Sequence, residues 1–170
     1  DIKRAVYEAC ESRMDPAAIL ATNTSSILLE TLRDGLKHPD RFCGIHFFNP
    51  VAAMPLVEVV THDGLDPATR ARVLSFVAAL DKLPLPAASA PGFLVNRALT
   101  PYMMEAFVLY AEGMAPEAID KAMEDFGMPM GPIELADKVG LDIGLHVAEM
   151  LSRELSRPLP AIPQRFRSLV

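Results

Sequence analysis

Residues 42–60 read FCGIHFFNPVAAMPLVEVV, two apolar runs joined by a loop that contains Asn49 and two prolines. Short apolar runs that are rich in β-branched and aromatic residues and bounded by proline are typical of buried β-strands. Each run carries one ionisable residue, His46 in the first and Glu58 in the second. The stretch therefore predicts two strands of a covered sheet that hold a histidine and a glutamate among apolar neighbours.

The segments on either side of this stretch predict an α/β domain. The expected helices span about 1–13, 27–36 and 66–80, and the expected strands 18–22, 42–48, 56–60 and 83–87. The order strand, helix, strand is a βαβ unit, which implies a parallel sheet with right-handed crossovers. The hydroxyls of residues 23–26 are natural caps for the second helix.

Two of these helices carry an apolar stripe at helical spacing, which we expect to be buried. In the first helix the stripe consists of Ile2, Ala5, Val6, Ala9 and Cys10. In the helix over 66–80 it consists of Val73, Leu74, Val77 and Leu80.

The pattern changes near residue 88, where we expect a domain boundary between 1–88 and 89–170. After it no strand pattern returns, and the remaining segments predict an all-α domain with helices at 92–112, at 116–126 and on either side of Gly140. Pro101 should bend or interrupt the first of these helices. The proline-rich stretch 158–163 is expected to form a surface loop.

Composition excludes several classes of function. The chain has 170 residues, of which 51% are hydrophobic, so it can build a substantial core, and its net charge of −6 leaves no basic excess for binding nucleic acid. No apolar run approaches the roughly 20 residues that span a bilayer. The two cysteines, Cys10 and Cys43, are too few for a disulfide framework and predict buried thiols in a reducing, cytoplasmic compartment. Four scattered histidines do not indicate a metal site.

The first residues already show helical periodicity, and the last ones end without a capping glycine. There is no initiator methionine and no signal-peptide pattern. We therefore expect the 170 residues to be a piece of a longer protein.

His46 and Glu58 each have a structural and a functional interpretation. His46 beside phenylalanines is compatible with a core histidine satisfied by a backbone carbonyl, and Glu58 is compatible with a strand residue on the solvent face. However, a glutamate among Val and Leu neighbours needs a partner if it is buried. If the loop 49–55 returns the second strand beside the first, the carboxylate can hold one imidazole nitrogen and leave the other as a base.

Two further residues follow predicted strands or open a predicted helix. Ser25 is most simply a helix cap, although a serine beside a cleft can also donate to a substrate oxygen. Asn96 lies in the first part of a predicted helix, where asparagine is disfavoured, so a hydrogen-bonding role is plausible. In open parallel sheets ligands bind outside the carboxyl ends of strands, which is where Ser25, His46 and Asn49 are expected.

These motifs resemble those of the 3-hydroxyacyl-CoA dehydrogenases of fatty acid β-oxidation. The matching segments, in order and spacing, are Asn23-Thr24-Ser25-Ser26, Gly44-Ile45-His46-Phe47-Phe48-Asn49-Pro50, Met54-Pro55-Leu56-Val57-Glu58-Val59, Pro91-Gly92-Phe93-Leu94-Val95-Asn96-Arg97 and Gly127-Met128-Pro129-Met130-Gly131-Pro132. The resemblance covers nearly the whole chain. The segment 54–58 is most similar to the α subunit of the bacterial multifunctional complex, which also carries an enoyl-CoA hydratase.

The resemblance implies a fold, a cofactor and a set of roles. The fold would be the C-terminal part of a Rossmann-like NAD-binding domain followed by an incomplete helical C-terminal domain. His46 would be the catalytic base and Glu58 its carboxylate partner in the oxidation of (3S)-3-hydroxyacyl-CoA. Ser25 and Asn96 would contact the substrate. The cofactor-contacting positions would be Lys3, Ser25 and Asn49.

One element of the family pattern is missing from these residues. No G-x-G-x-x-G turn occurs in the sequence, so we expect the isolated 170 residues to bind NAD poorly and to turn over little or no substrate. An alternative function is a non-catalytic assembly module, because in this family the helical domain mediates subunit contacts. The partners implied are a second copy of the chain or a thiolase subunit.

Overall fold

The computed structural model describes residues 2–25, 27–155 and 159–168. They form two compact units, Asp1–Leu94 and Val95–Val170, the first α/β and the second helical. This order confirms the fold class expected from the sequence. Among the described residues, no helix is long and apolar enough to cross a membrane, and no cluster of three or more His, Cys, Asp or Glu side chains is suited to a metal ion.

The first unit contains a four-stranded sheet with helices. Its elements in chain order are α1 (Ile2–Glu11), β1 (Leu20–Thr22), α2 (Leu29–Arg33), a single 3-10 turn (Pro39–Arg41), β2 (Phe42–Phe47), β3 (Leu56–Thr61), α3 (Pro67–Ala79) and β4 (Leu83–Ala88). All four expected strands are present, although β1 is shorter than 18–22.

The sheet is mixed, not parallel throughout as expected. Its strand order is β1-β2-β3-β4, with β1 parallel to β2, β3 parallel to β4, and β2 antiparallel to β3. The expectation of a βαβ crossover is confirmed for β1-α2-β2. The expected parallel arrangement is wrong for β2 and β3, because residues 48–55 are too few for a crossover, which needs about a dozen or more.

Apolar side chains cover both faces of this sheet. One cluster packs α2 against it and consists of Leu29, Leu32, Phe42, Val60, Ala87 and Phe93. The other packs α3 against it and consists of Cys43, Val57, Val59, Val73 and Val77. Because β2 and β3 are covered on both sides, any polar side chain within them must find its partners inside the protein.

Of the hydroxyls expected to cap the second helix, that of Thr24 accepts the N–H of Ile27 at 3.2 Å, which lies before the helix begins. Helix α2 begins later than expected, its N-cap residue is Leu28, and no side chain of that residue caps it. The N–H of Leu29 instead donates to Ser89 Oγ at 2.9 Å, and the Ser89 hydroxyl donates to Glu30 at 2.6 Å. The cap therefore comes from a residue far away in the sequence, while Ser26 lies outside the described residues.

The apolar stripe expected on α1 is not buried. Ile2 is 86% exposed and Val6 50% exposed, and Cys10 is exposed as well, against expectation. The helix is held by polar contacts on its other face: Tyr7 donates to Thr22 Oγ1 at 2.7 Å, and Arg4 pairs with Asp34 at 2.8 Å.

Two other expectations concern the burial of the α3 stripe and of Cys43. In α3, Val73 and Val77 are buried as expected, but Leu80 at the end of the helix is 45% exposed. Cys43 is fully buried on β2, and burial raises the pKa of its thiol to about 12.

The second unit is a group of helices, as expected. They are α4 (Val95–Ala111), α5 (Pro116–Phe126), α6 (Pro132–Val139), α7 (Leu141–Glu154) and α8 (Gln164–Arg167). Its core includes Met104, Phe107 and Phe166, the two rings stacking at 4.0 Å. Pro101 lies within α4 without interrupting it. Of the expected loop at 158–163, residues 159–163 have no regular structure and residue 158 lies outside the described part.

Candidate active site

The centre of the candidate site is the pair formed by His46 and Glu58. The antiparallel register of β2 and β3 places the two residues directly opposite each other. His46 Nδ1 lies 2.7 Å from Glu58 Oε2, and the side chain of Glu58 is completely buried. The solvent-facing interpretation of Glu58 is therefore wrong, and the partner of His46 is a carboxylate and not a backbone carbonyl.

Glu58 uses both carboxylate oxygens. Oε2 faces His46, and Oε1 accepts the backbone N–H of Leu94 at 3.0 Å. A buried carboxylate is strongly destabilising unless its oxygens are hydrogen-bonded. The two donors thus explain how a glutamate is accommodated within the apolar strand.

The hydrogen bond to Glu58 fixes the orientation of the imidazole. A neutral ring that donates through Nδ1 has an unprotonated Nε2, which is the arrangement of a general base. Within the described residues no hydrogen bond is made to Nε2 of His46. The site therefore presents an oriented nitrogen that can accept a proton.

Two aromatic rings pack against this histidine. The ring of Phe48 lies 4.6 Å from that of His46 and the ring of Phe93 lies 5.9 Å from it, centroid to centroid. Phe93 adopts a positive φ of 49° directly after Gly92 at 71°. This turn, uncommon for a bulky residue, brings the Phe93 ring toward His46 and the N–H of Leu94 toward Glu58.

The loop after β1 lies at the same edge of the sheet as His46, because β1 and β2 are parallel. Asn23 Oδ1 accepts the N–H of Phe47 at 3.0 Å, which binds this loop to the end of β2. Ser25, two residues further, is exposed, and so is Asn49 after β2. The structure thus brings Ser25 and Asn49 to the edge where His46 is found.

The remaining predicted site residues are Lys3 and Asn96. Lys3 is exposed in the first turn of α1. The Tyr7 to Thr22 hydrogen bond holds this helix beside the carboxyl end of β1. Asn96 is the second residue of α4 and belongs to the second compact unit.

Sequence reasoning did not identify two contributors to the site. Leu94 acts through its backbone N–H, which any residue except proline supplies. Phe93 occurs in a matching motif, but its positive φ was not expected. The preceding Pro91-Gly92 pair is a turn signal that could have indicated an unusual backbone there.

Family models match both parts of the chain. Residues 1–90 match the family model described as 3-hydroxyacyl-CoA dehydrogenase, NAD binding domain. Residues 92–170 match the model described as 3-hydroxyacyl-CoA dehydrogenase, C-terminal domain.

Curated relatives include the fatty acid oxidation complex subunit alpha of two bacteria. The chain is 39% identical over its full 170 residues to the protein of Idiomarina loihiensis, of which it covers 24%. It is 42% identical over 152 residues, 89% of its length, to that of Psychrobacter arcticus, of which it covers 21%. The chain thus spans about a quarter of the length of these relatives.

Solved structures of similar proteins superpose on nearly the whole chain. One is (S)-3-hydroxybutyryl-CoA dehydrogenase PaaH1 from Ralstonia eutropha, with a TM-score of 0.93 and 38% identity, covering 99% of this chain and 60% of that one. Another is FadB2 from M. tuberculosis, with a TM-score of 0.92, 35% identity and the same coverage of both chains. By sequence and by fold, the chain belongs to the 3-hydroxyacyl-CoA dehydrogenase family.

Proposed function

We propose that these residues form the acid–base part of an NAD-dependent 3-hydroxyacyl-CoA dehydrogenase, which oxidises (3S)-3-hydroxyacyl-CoA to 3-ketoacyl-CoA in fatty acid β-oxidation. The observation that supports this most directly is the buried pair of His46 and Glu58 at 2.7 Å. The names of the relatives, which include 3-hydroxybutyryl-CoA dehydrogenases and fatty acid oxidation complex subunits, support the substrate class.

The proposed reaction removes a proton from the 3-hydroxyl and a hydride from C3 of the substrate. Nε2 of His46 takes the proton of the 3-hydroxyl, the C3–O bond becomes a carbonyl, and C3 loses a hydride. NAD, when bound, supplies the acceptor for that hydride. The buried charge of Glu58 stabilises the imidazolium that forms on His46.

The residues that we propose for the cofactor have suitable chemistry. Lys3 supplies a cation for an anionic group, and Ser25 and Asn49 supply a hydroxyl and an amide at the edge beside His46. All three residues are exposed. Ser25 and Asn96 are proposed to contact the substrate.

The proposal is tested on the full-length protein that carries these residues. Oxidation of NADH is followed in the presence of acetoacetyl-CoA, with free acetoacetate as the control substrate. We expect turnover only with the CoA ester, and in the reverse direction only with the (3S)-hydroxy isomer. Absence of turnover with every 3-ketoacyl-CoA tested would reject the function.

A role in assembly is a second candidate, supported by the exposure of Phe126. This residue at the end of α5 is 82% exposed, and a large exposed aromatic side chain is enriched in protein interfaces. The partner would be a second copy or a thiolase subunit. Sedimentation of the 170-residue chain, together with the NADH assay, distinguishes the two: a stable dimer without activity supports assembly.

Other expectations stay predictions. They are the limits 1–88 and 89–170 of the two domains, the weak NAD binding of the isolated chain, and the cytoplasmic location inferred from cysteine content. Micromolar affinity of the 170-residue chain for NADH in a titration would contradict the second of these.

A further inference from the structure

Lys82 lies between α3 and β4 and binds the loop that joins the strands of His46 and Glu58. Its Nζ donates to the carbonyl oxygens of Val51 at 2.7 Å, Met54 at 2.9 Å and Ala52 at 3.5 Å. We call residues 49–55 the hairpin loop. A single half-buried lysine thus donates hydrogen bonds to three carbonyls of one loop.

The hairpin loop has little else to hold it. Each side chain from Val51 to Pro55 is exposed, so none anchors the loop in a core. Its backbone closes one turn, in which the N–H groups of Ala53 and Met54 both donate to the Pro50 carbonyl at 3.0 Å, and the Leu83 N–H donates to the Pro55 carbonyl at 2.8 Å.

The three carbonyls suit a compact cation. An ammonium has three donors that rotate freely, which suits three oxygens converging from one turn, whereas a guanidinium presents its donors in a flat, rigid fork. Removing the cation would leave only water to satisfy three carbonyls of an exposed loop, so the loop would lose the side chain that joins them.

The hairpin loop begins at the site itself. Phe48, which packs on the His46 ring at 4.6 Å, directly precedes it, and Asn49 is its first residue. The strands that hold His46 and Glu58 are fixed by their own ladder. A change in the loop therefore moves Asn49 and Phe48 before it moves the acid–base pair.

We propose that Lys82 is a positioning residue for the dehydrogenase reaction, acting through the hairpin loop to hold Asn49 in its place for the cofactor. The inference rests on the proposed function. Lys82 makes no hydrogen bond to His46 or Glu58 in the described part of the chain, so its effect falls on cofactor affinity more than on proton transfer.

The test uses Lys82→Met and Lys82→Arg in the full-length protein. Lys37→Met is the matched control, since Lys37 is exposed in the same unit and its ammonium makes no hydrogen bond within the described residues. We expect Lys82→Met to raise the KM for NADH about tenfold with a smaller change in kcat. The pH profile of kcat should keep its shape, and Lys82→Arg should fall between wild type and Lys82→Met.

A second readout does not depend on activity. Amide hydrogen exchange at Ala53 and Met54 should become faster in Lys82→Met and stay unchanged in Lys37→Met. An active wild type whose KM is unaltered by Lys82→Met, or unaltered exchange at these amides, would overturn the role of Lys82 alone. A wild type that turns over no 3-ketoacyl-CoA would instead reject the proposed function.

Discussion

Each end of the β2–β3 ladder holds a buried histidine, and the two are used in opposite ways. His46 and His62 are both 6% exposed. His46 pairs across the ladder with a buried carboxylate. His62, directly after β3, is surrounded by backbone groups and an arginine.

Both ring nitrogens of His62 are fully hydrogen-bonded. Its Nε2 donates to the carbonyls of Phe42 at 3.0 Å and Pro39 at 3.1 Å. Its Nδ1 accepts from Arg33 at 2.5 Å and from the Gly64 N–H at 3.1 Å. Neither nitrogen is left for a ligand.

The comparison shows that burial by itself does not distinguish a structural histidine from a candidate base. What differs is the partner set. A histidine that is hydrogen-bonded at both ring nitrogens stabilises the strand ends. A histidine held at Nδ1 by a carboxylate has Nε2 available to accept a proton.

The largest expected effect is on turnover, in which substitutions of His46 and of His62 should differ most. His46→Gln in the full-length protein should lower kcat by about 10²- to 10⁴-fold, because glutamine cannot accept the hydroxyl proton. His62→Gln is the matched control and should keep kcat near that of wild type. Steady-state kinetics with acetoacetyl-CoA measure both, and near-normal turnover in His46→Gln would disprove the role of the base.

The next effect comes from the carboxylate at the His46 end. Glu58→Gln keeps a hydrogen-bond acceptor but removes the charge, so kcat should fall by about 10-fold or more while KM changes little. The pH profile of kcat should also change, because the charge that stabilises the protonated imidazole is gone. An unaltered profile would show that Glu58 is only structural.

A third effect concerns stability at the His62 end. His62→Leu has no group that can donate to the two carbonyls or accept from the two donors, and leaving these buried groups unpaired should lower the free energy of unfolding by about 1–3 kcal/mol. Urea denaturation of the 170-residue chain measures this change. A variant as stable as wild type would mean that the four contacts of His62 contribute nothing net.

The smallest effect involves the partly exposed carboxylate of Asp66, near the His62 end. The Thr69 N–H donates to Asp66 at 2.8 Å at the start of α3 and lowers the pKa of that carboxyl. A lowered folded pKa stabilises the protein above the unfolded pKa, and this contribution is lost as the pH falls through the folded value. Asp66→Asn should therefore melt slightly below wild type at neutral pH, and the difference should vanish in acid. Equal melting temperatures at both pH values would contradict this.

The sequence predicted the elements of the site better than their arrangement. The strands of His46 and Glu58, and the need of Glu58 for a partner, follow from apolar runs that each contain one ionisable residue. Loop length between the strands was sufficient to predict their antiparallel pairing, yet the βαβ pattern elsewhere in the chain suggested a parallel sheet.

Contacts between distant residues were not predictable in the same way. Ser89 caps α2 from a position remote in the sequence, and the N–H of Leu94 binds Glu58 without any side-chain signal. The exposed stripe of α1 has the spacing of a buried one, because periodicity reports which residues share a face and not what that face contacts.

The contrast between the two cysteines makes the chain convenient for spectroscopy. Cys43 is inaccessible and its pKa of about 12 keeps it a thiol, whereas Cys10 is exposed on α1. Since the thiolate is the reactive form, a maleimide fluorophore should attach to Cys10 alone in the folded 170-residue chain and to both of its cysteines in denaturant. A single dye on α1 would then report unfolding without any engineered cysteine.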